Sequence, residues 1–207
     1  MASRFAIQTM VHLILDTPDW ILQSNEVIAQ EAMQRAVDRY EEIKVALSEE
    51  VKERPELRGM GTTMTIAWNL GRDLFVGHIG DSRAYLFREG KLSQLTRDHT
   101  MAQAMADRGH IAQAEVATSR LRHMLTRFLG DRGSEARPDV QRLPLSDGDC
   151  LVLCTDGLSD MVPDATIAEI LARNEDAATT CGWLVEKALE QGGKDNVTVV
   201  VARYRMR

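Results

Sequence analysis

Apolar residues in the first quarter of the chain recur at the three- and four-residue spacing of helices. Ile7, Met10, Val11 and Ile14 mark one face over residues 3–15. Residues 25–53 repeat the pattern at greater length. There Ala29, Ala32, Met33, Ala36, Val37, Tyr40, Ile43, Leu47 and Val51 alternate with Glu, Gln, Arg and Lys. This is the pattern of an amphipathic helix packed on a core; the strict seven-residue repeat of a coiled coil is absent. Pro55 and Gly59 then punctuate the chain.

From Gly61 the period shortens to that of strands. TTMTIAWNL, DLFVGHIG, RAYLFREG and KLSQL read as short strands, with turns at Asn69 to Asp73, Gly80 to Ser82 and Glu89-Gly90. Residues 98–130 lose the alternation and read as short helices and loops rich in Ala, Arg and His. Strands resume at 140–143 and 149–154, helices follow at 164–173 and 176–191, and 197–204 closes as a strand. No internal repeat, low-complexity tract or flexible linker interrupts the series. The fold class expected is α/β (α+β), one domain over residues 1–207 with helices flanking largely antiparallel strands.

Composition narrows the partners. The 207 residues are 44% hydrophobic, enough for a substantial core. The formal net charge of -6 argues against a nucleic-acid backbone as main partner. No apolar run reaches the roughly 18 residues of a membrane span. The opening MASRFAIQTMVHLIL carries His12 within its apolar stretch and lacks a small-residue cleavage pattern, so it reads as a helix rather than an export signal. A cytoplasmic protein is expected. The three cysteines, 150, 154 and 181, then read as reduced thiols, with Cys150 and Cys154 as small buried hydrophobes.

Candidate chemistry gathers at strand ends. GDSR (80–83), TDGLSD (155–160) and GGKDN (192–196) each set an aspartate beside a small or turn-forming residue. Any one of them is ordinary turn chemistry. Gathered at one sheet edge, several carboxylates would repel one another unless a cation neutralised them, and oxygen-only ligands suit Mg²⁺ or Mn²⁺. Asp160 lies one helical turn after Asp156, on the same face.

Five stretches carry a resemblance that no single motif does. GMGTTMTIAW (59–68), VGHIGDSRAYLFREGKLSQLTRDHT (76–100), LRHMLTRFLG (121–130), CTDGLSD (154–160) and GGKDNVTVVVARY (192–204) occur in this order. The chain resembles the PPM, or type 2C, metal-dependent serine/threonine protein phosphatases, most of all their compact bacterial members. The resemblance implies a four-layer α-β-β-α sandwich and hydrolysis of phosphoserine and phosphothreonine in protein substrates by metal-activated water. It implies that Asp156 and Asp195 ligate a core Mn²⁺ or Mg²⁺, and that Asp81 and Asp160, with Asp156, hold a more weakly bound third ion. Gly157 would permit the turn after Asp156, while Thr62, Ser82 and Asn196 would support the site. Residues 98–130 would form a flap beside it that influences substrate choice. His99, His110 and His123 of that segment read as packing or surface residues, His78 and His12 as core or boundary residues. Arg83 is expected to pair with acids; Arg122 and Arg127 read as solvated charges, with contact to phosphate as the alternative.

The resemblance also implies a missing part. Family members begin with strands carrying a Glu-Asp pair and an Asp-Gly-x-Gly-Gly-His motif, and this chain starts where that segment would end. The expectation is an N-terminally incomplete phosphatase with reduced metal occupancy, whose exposed sheet edges favour self-association. The alternative is a non-catalytic, pseudophosphatase-like module that binds phosphoproteins or another partner. A swapped assembly, with a second chain supplying the strands, is a third reading.

Overall fold

The structure is a computed structural model that describes residues 1–15, 26–130 and 137–206. Residue 25, the expected start of the long helix, lies outside the described residues. The chain divides into two compact units, Met1–Gly80 with His99–Pro144, and Asp81–Asp98 with Leu145–Arg207. Both combine helices with antiparallel strands, as the periodicities predict.

In the first unit, α1 (Ala2–Leu15) packs against α2 (Glu26–Glu53). The α2 stripe is the expected one, with Ala29, Ala36, Tyr40, Ile43, Leu47 and Val51 buried. Full burial of a Leu or Ile side chain contributes about 1.5–3 kcal/mol, so this stripe, rather than helix propensity, holds the helix in place. In α1 the phase differs from expectation. Ala2, Ala6 and Met10 are buried, whereas Ile7, Val11 and Ile14 are 59%, 49% and 48% exposed. Small residues at four-residue spacing let the helices approach closely, and the larger side chains turn outward.

Strands β1 (Gly61–Thr62), β2 (Met64–Leu70) and β3 (Asp73–Ile79) follow, the last two joined by the two-residue turn Gly71-Arg72. The strands read from the sequence, ending at Leu70 and starting at Asp73, leave the same two residues between them. Trp68 stacks on its cross-strand partner Phe75 at 5.3 Å. β7 (Asp139–Pro144) completes an antiparallel sheet of order β2-β3-β7. Within residues 98–130 lie α3 (Met101–Asp107), a 3-10 helix (Gln113–Thr118) and the two-residue β6 (Leu129–Gly130). β6 pairs with β1, a contact too short to leave a sequence signal.

The second unit is built on a four-stranded antiparallel sheet of order β5-β4-β8-β9. Its strands are β4 (Arg83–Arg88), β5 (Lys91–Gln94), β8 (Cys150–Cys154) and β9 (Val199–Arg203). Glu89 and Gly90 both have positive φ, the geometry that a two-residue hairpin turn demands. Helices α4 (Asp156–Ser159), α5 (Asp164–Ala172) and α6 (Ala177–Glu190) fill the connection from β8 to β9. The core joins Tyr85, Cys150, Val152 and Cys154 of the sheet to Leu158, Ile167, Leu171 and Leu184 of the helices. Both sheet cysteines are therefore the buried hydrophobes expected of them.

Candidate metal centre

The register of two strands places the first pair of acids. β4 and β8 pair antiparallel from Phe87↔Cys150 to Arg83↔Cys154. Carried two steps past Arg83 and Cys154, that register sets Asp81 opposite Asp156. Their carboxylates indeed approach, with an oxygen of each within 4.8 Å of the other. At such a separation two like charges repel by on the order of 1–4 kcal/mol near a protein surface. A hard divalent cation reverses the sign, and two half-buried carboxylates offer it only oxygen. The two carboxylates themselves suit Mg²⁺ or Mn²⁺.

Asp156 is fixed by the strand end and helix start that flank it. Thr155 N–H donates to the Thr198 carbonyl at 3.1 Å, and Thr198 N–H donates to Thr155 Oγ1 at 3.0 Å. Thr155 Oγ1 donates in turn to the Asn196 carbonyl at 3.1 Å. The loop before β9 is thereby drawn against the end of β8. Asp156 then opens α4, where its carboxylate sits at the positive end of the peptide dipoles.

Gly157 serves differently from the expected turn. It is helical, with no left-handed φ, and buried. Glycine is required by proximity, since a Cβ there would stand 2.4 Å from the Asn196 carbonyl oxygen. That main-chain oxygen is the one that accepts the Thr155 hydroxyl.

The remaining acids are less closely gathered. Asp160 is exposed and closes α4, its N–H donating to the Asp156 carbonyl at 2.8 Å. Asp195 is exposed in the loop before β9, and its Oδ1 accepts the Asn196 N–H at 2.6 Å. Among the described residues, neither joins the Asp81–Asp156 pair within 4.8 Å of both. Thr62 belongs to β1 of the first unit, with its hydroxyl donated to the Thr63 carbonyl at 2.9 Å. Ser82 is buried beside Asp81.

Arg83 pairs with an acid, as expected. Its guanidinium donates to Asp98 through Nε and Nη2, at 3.0 and 2.7 Å, and through Nη1 to the Tyr85 hydroxyl at 3.0 Å. Tyr85 passes the chain on to Asp164 at 3.2 Å. Burial opposes the Arg83 charge, but the Asp98 bonds outweigh it and hold the group more firmly protonated than usual. With its donors engaged in this way, Arg83 is a structural clasp two residues from Asp81. Arg127 is likewise engaged, by Asp139 at 2.8 Å, rather than solvated.

Similarity to known proteins runs along nearly the whole chain. The profile of the family described as Protein phosphatase 2C matches residues 8–197. Serine/threonine protein phosphatase PstP of Mycobacterium tuberculosis is 39% identical over 203 residues, 98% of this chain and 37% of that protein. Serine/threonine phosphatase stp of Listeria innocua is 32% identical over 151 residues, 73% of this chain and 60% of its own length. The chain thus spans less than two thirds of either relative. The catalytic domain of PstP, solved in complex with 2 manganese ions, superposes with a TM-score of 0.80 at 37% identity. That match covers 98% of this chain and 80% of that one. Strand-end acids, their register and a match over nearly the whole chain converge on one assignment: the chain belongs to the protein phosphatase 2C family.

Proposed function

We propose that residues 1–207 act as one metal-dependent serine/threonine phosphatase domain, with phosphorylated proteins as substrates. The observation that carries this reading is the Asp81–Asp156 carboxylate pair, held by strand register in a chain of this family. Asp156 and Asp195 would hold one ion, and Asp81 and Asp160, with Asp156, a further one. Mn²⁺ or Mg²⁺, when bound, would lower the pKa of water and offset charge on the phosphate oxygens. The chain's own part is positional. Thr155 and Thr198 hold the strand end that presents Asp156, and Gly157 leaves room for the Asn196 backbone.

No helix among the described residues is long and apolar enough to cross a membrane. A cytoplasmic site of action fits that observation, and self-association would run through edge strands such as β9, whose Val200 is 53% exposed.

Hydrolysis of a phosphothreonine peptide with Mn²⁺, with EDTA, and by Asp156→Asn decides the matter. Turnover that requires Mn²⁺ and is lost in Asp156→Asn supports a phosphatase. Absence of Mn²⁺-dependent turnover, with phosphopeptide binding retained, overturns it in favour of a non-catalytic binding module.

A further inference from the structure

His99 is 3% exposed and takes no part in the chemistry proposed above. Both of its ring nitrogens are engaged. Nδ1 accepts the Gly80 N–H at 3.1 Å, and Nε2 lies 3.0 Å from Asp139 Oδ2. A nitrogen that accepts from an amide carries no proton, so the ring proton sits on Nε2 and is donated to Asp139. Asp139 is held in turn by Arg127, at 2.8 and 3.2 Å. The His78 ring lies 4.7 Å from that of His99, tilted by 43°, and its own Nδ1 is 2.9 Å from Thr65 Oγ1.

The main chain of His99 grips the same glycine, its N–H donating to the Gly80 carbonyl at 2.7 Å. Each peptide plane flanking Gly80 is therefore bonded to His99, one to the ring and one to the backbone. On its other side Gly80 meets Thr63, where a Cβ would fall 2.3 Å from Thr63 Cγ2. Its φ of +113° is open to glycine and strained for other residues. Gly80 is thus confined from both sides, and the next residue is Asp81.

We propose that His99 is the positioning residue for Asp81. Through the Gly80 clamp it sets the peptide plane from which Asp81 projects its carboxylate toward Asp156. The Asp139–Arg127 pair keeps the imidazole in the tautomer that can accept from Gly80. The proposal rests on the reading of Asp81 as a cation ligand. His99 touches neither substrate nor ion in this role; it fixes the backbone that delivers the ligand.

Mn²⁺ binding to the full chain, read by calorimetry and by loss of the free-ion paramagnetic resonance signal, tests this without recourse to activity. Asp81→Asn and His99→Ala should each weaken the Asp81-dependent binding step about tenfold. The double variant should bind no more weakly than Asp81→Asn alone, because His99 acts through Asp81. His99→Asn places an acceptor oxygen where Nδ1 stood and should restore binding to within about twofold of the parent, an effect smaller than half a kcal/mol. His99→Gln reaches toward Asp139 without that acceptor and should bind like His99→Ala. Unchanged Mn²⁺ binding in Asp81→Asn overturns the ligand reading itself. Weak binding in Asp81→Asn with parent-like binding in His99→Ala overturns the positioning role alone. Should His99→Ala fail to fold, equal binding by the Asn and Gln variants overturns it as well.

Discussion

Arg88 grips Asp149 at two points, with Nε and Nη2 at 2.7 and 2.6 Å from its two carboxylate oxygens. The Asp149 side chain is completely buried, and it also accepts the Ser146 N–H at 2.7 Å. Burial alone would raise its pKa, but the guanidinium and the amide outweigh that and hold the carboxyl below its ordinary value of 3.8. A depressed folded pKa contributes stability above the unfolded value and loses it as pH falls through the folded one. The parent should therefore lose this contribution progressively below about pH 4. Arg88→Met leaves a buried carboxylate unpaired and should cost about 2–4 kcal/mol at neutral pH. Urea midpoints at pH 7 and pH 3 check both statements, and the parent–variant gap should shrink in acid.

Gly157→Ala should damage the site more than its single methyl suggests. The added carbon meets the Asn196 carbonyl oxygen at 2.4 Å, and neither backbone can retreat without breaking the Thr155–Thr198 bonds. Overpacking of this kind costs about 1–3 kcal/mol. Mn²⁺-dependent turnover should fall at least tenfold even where the variant is fully folded, because the displaced strand end carries Asp156. A variant with parent-like urea midpoint and turnover would show that the loop before β9 yields freely.

The three thiols should separate by reactivity. Burial pushes the Cys154 thiol up to about 12 and raises Cys150 as well. At pH 8 a thiol of that pKa is ionised only about once in ten thousand. Half-buried Cys181 is raised too, again by burial, but it retains access to solvent. Titration of the native chain with a thiol-reactive disulfide should show one fast group, absent in Cys181→Ser, and two that react only on unfolding.

The burial phase of α1 offers a test by contrast. Met10 is 4% exposed and Ile7 59% exposed, although both are large and apolar. Met10→Ala should cost about 2–4 kcal/mol, and Ile7→Ser should stay within about 0.5 kcal/mol of the parent. Chemical denaturation of the two variants checks the difference. Equal losses would place Ile7 in a buried surface.

Legibility of the fold followed the range of the interactions. Strands of four to seven residues and the helices after Pro163 could be read because each writes its own period in consecutive residues. The burial phase of α1 could not, because Ala2 and Ala6 are chosen by the closeness of α2 rather than by their own hydrophobicity. β6 has two residues and no period at all. Within the site, Asp81 and Asp156 stood out as acids at strand ends, and the ordered motifs joined them. The purpose of Gly157 stayed hidden because its neighbour, Asn196, is distant in sequence. The clasp of His99 on Gly80 was invisible for the same reason, and Arg127 passed for a solvated charge because nothing local announces Asp139.

The pairing of β4 with β8 makes the distance between two acids a matter of counting. A residue inserted between the last paired couple, Arg83 and Cys154, and either aspartate would carry that carboxylate out of opposition with the other. Insertions at the far ends of the same strands, in the Glu89-Gly90 hairpin or in the stretch from Ser146 to Gly148, would leave the two acids where they are. The domain can therefore lengthen at one rim and keep the two acids opposed, while the other rim fixes their spacing.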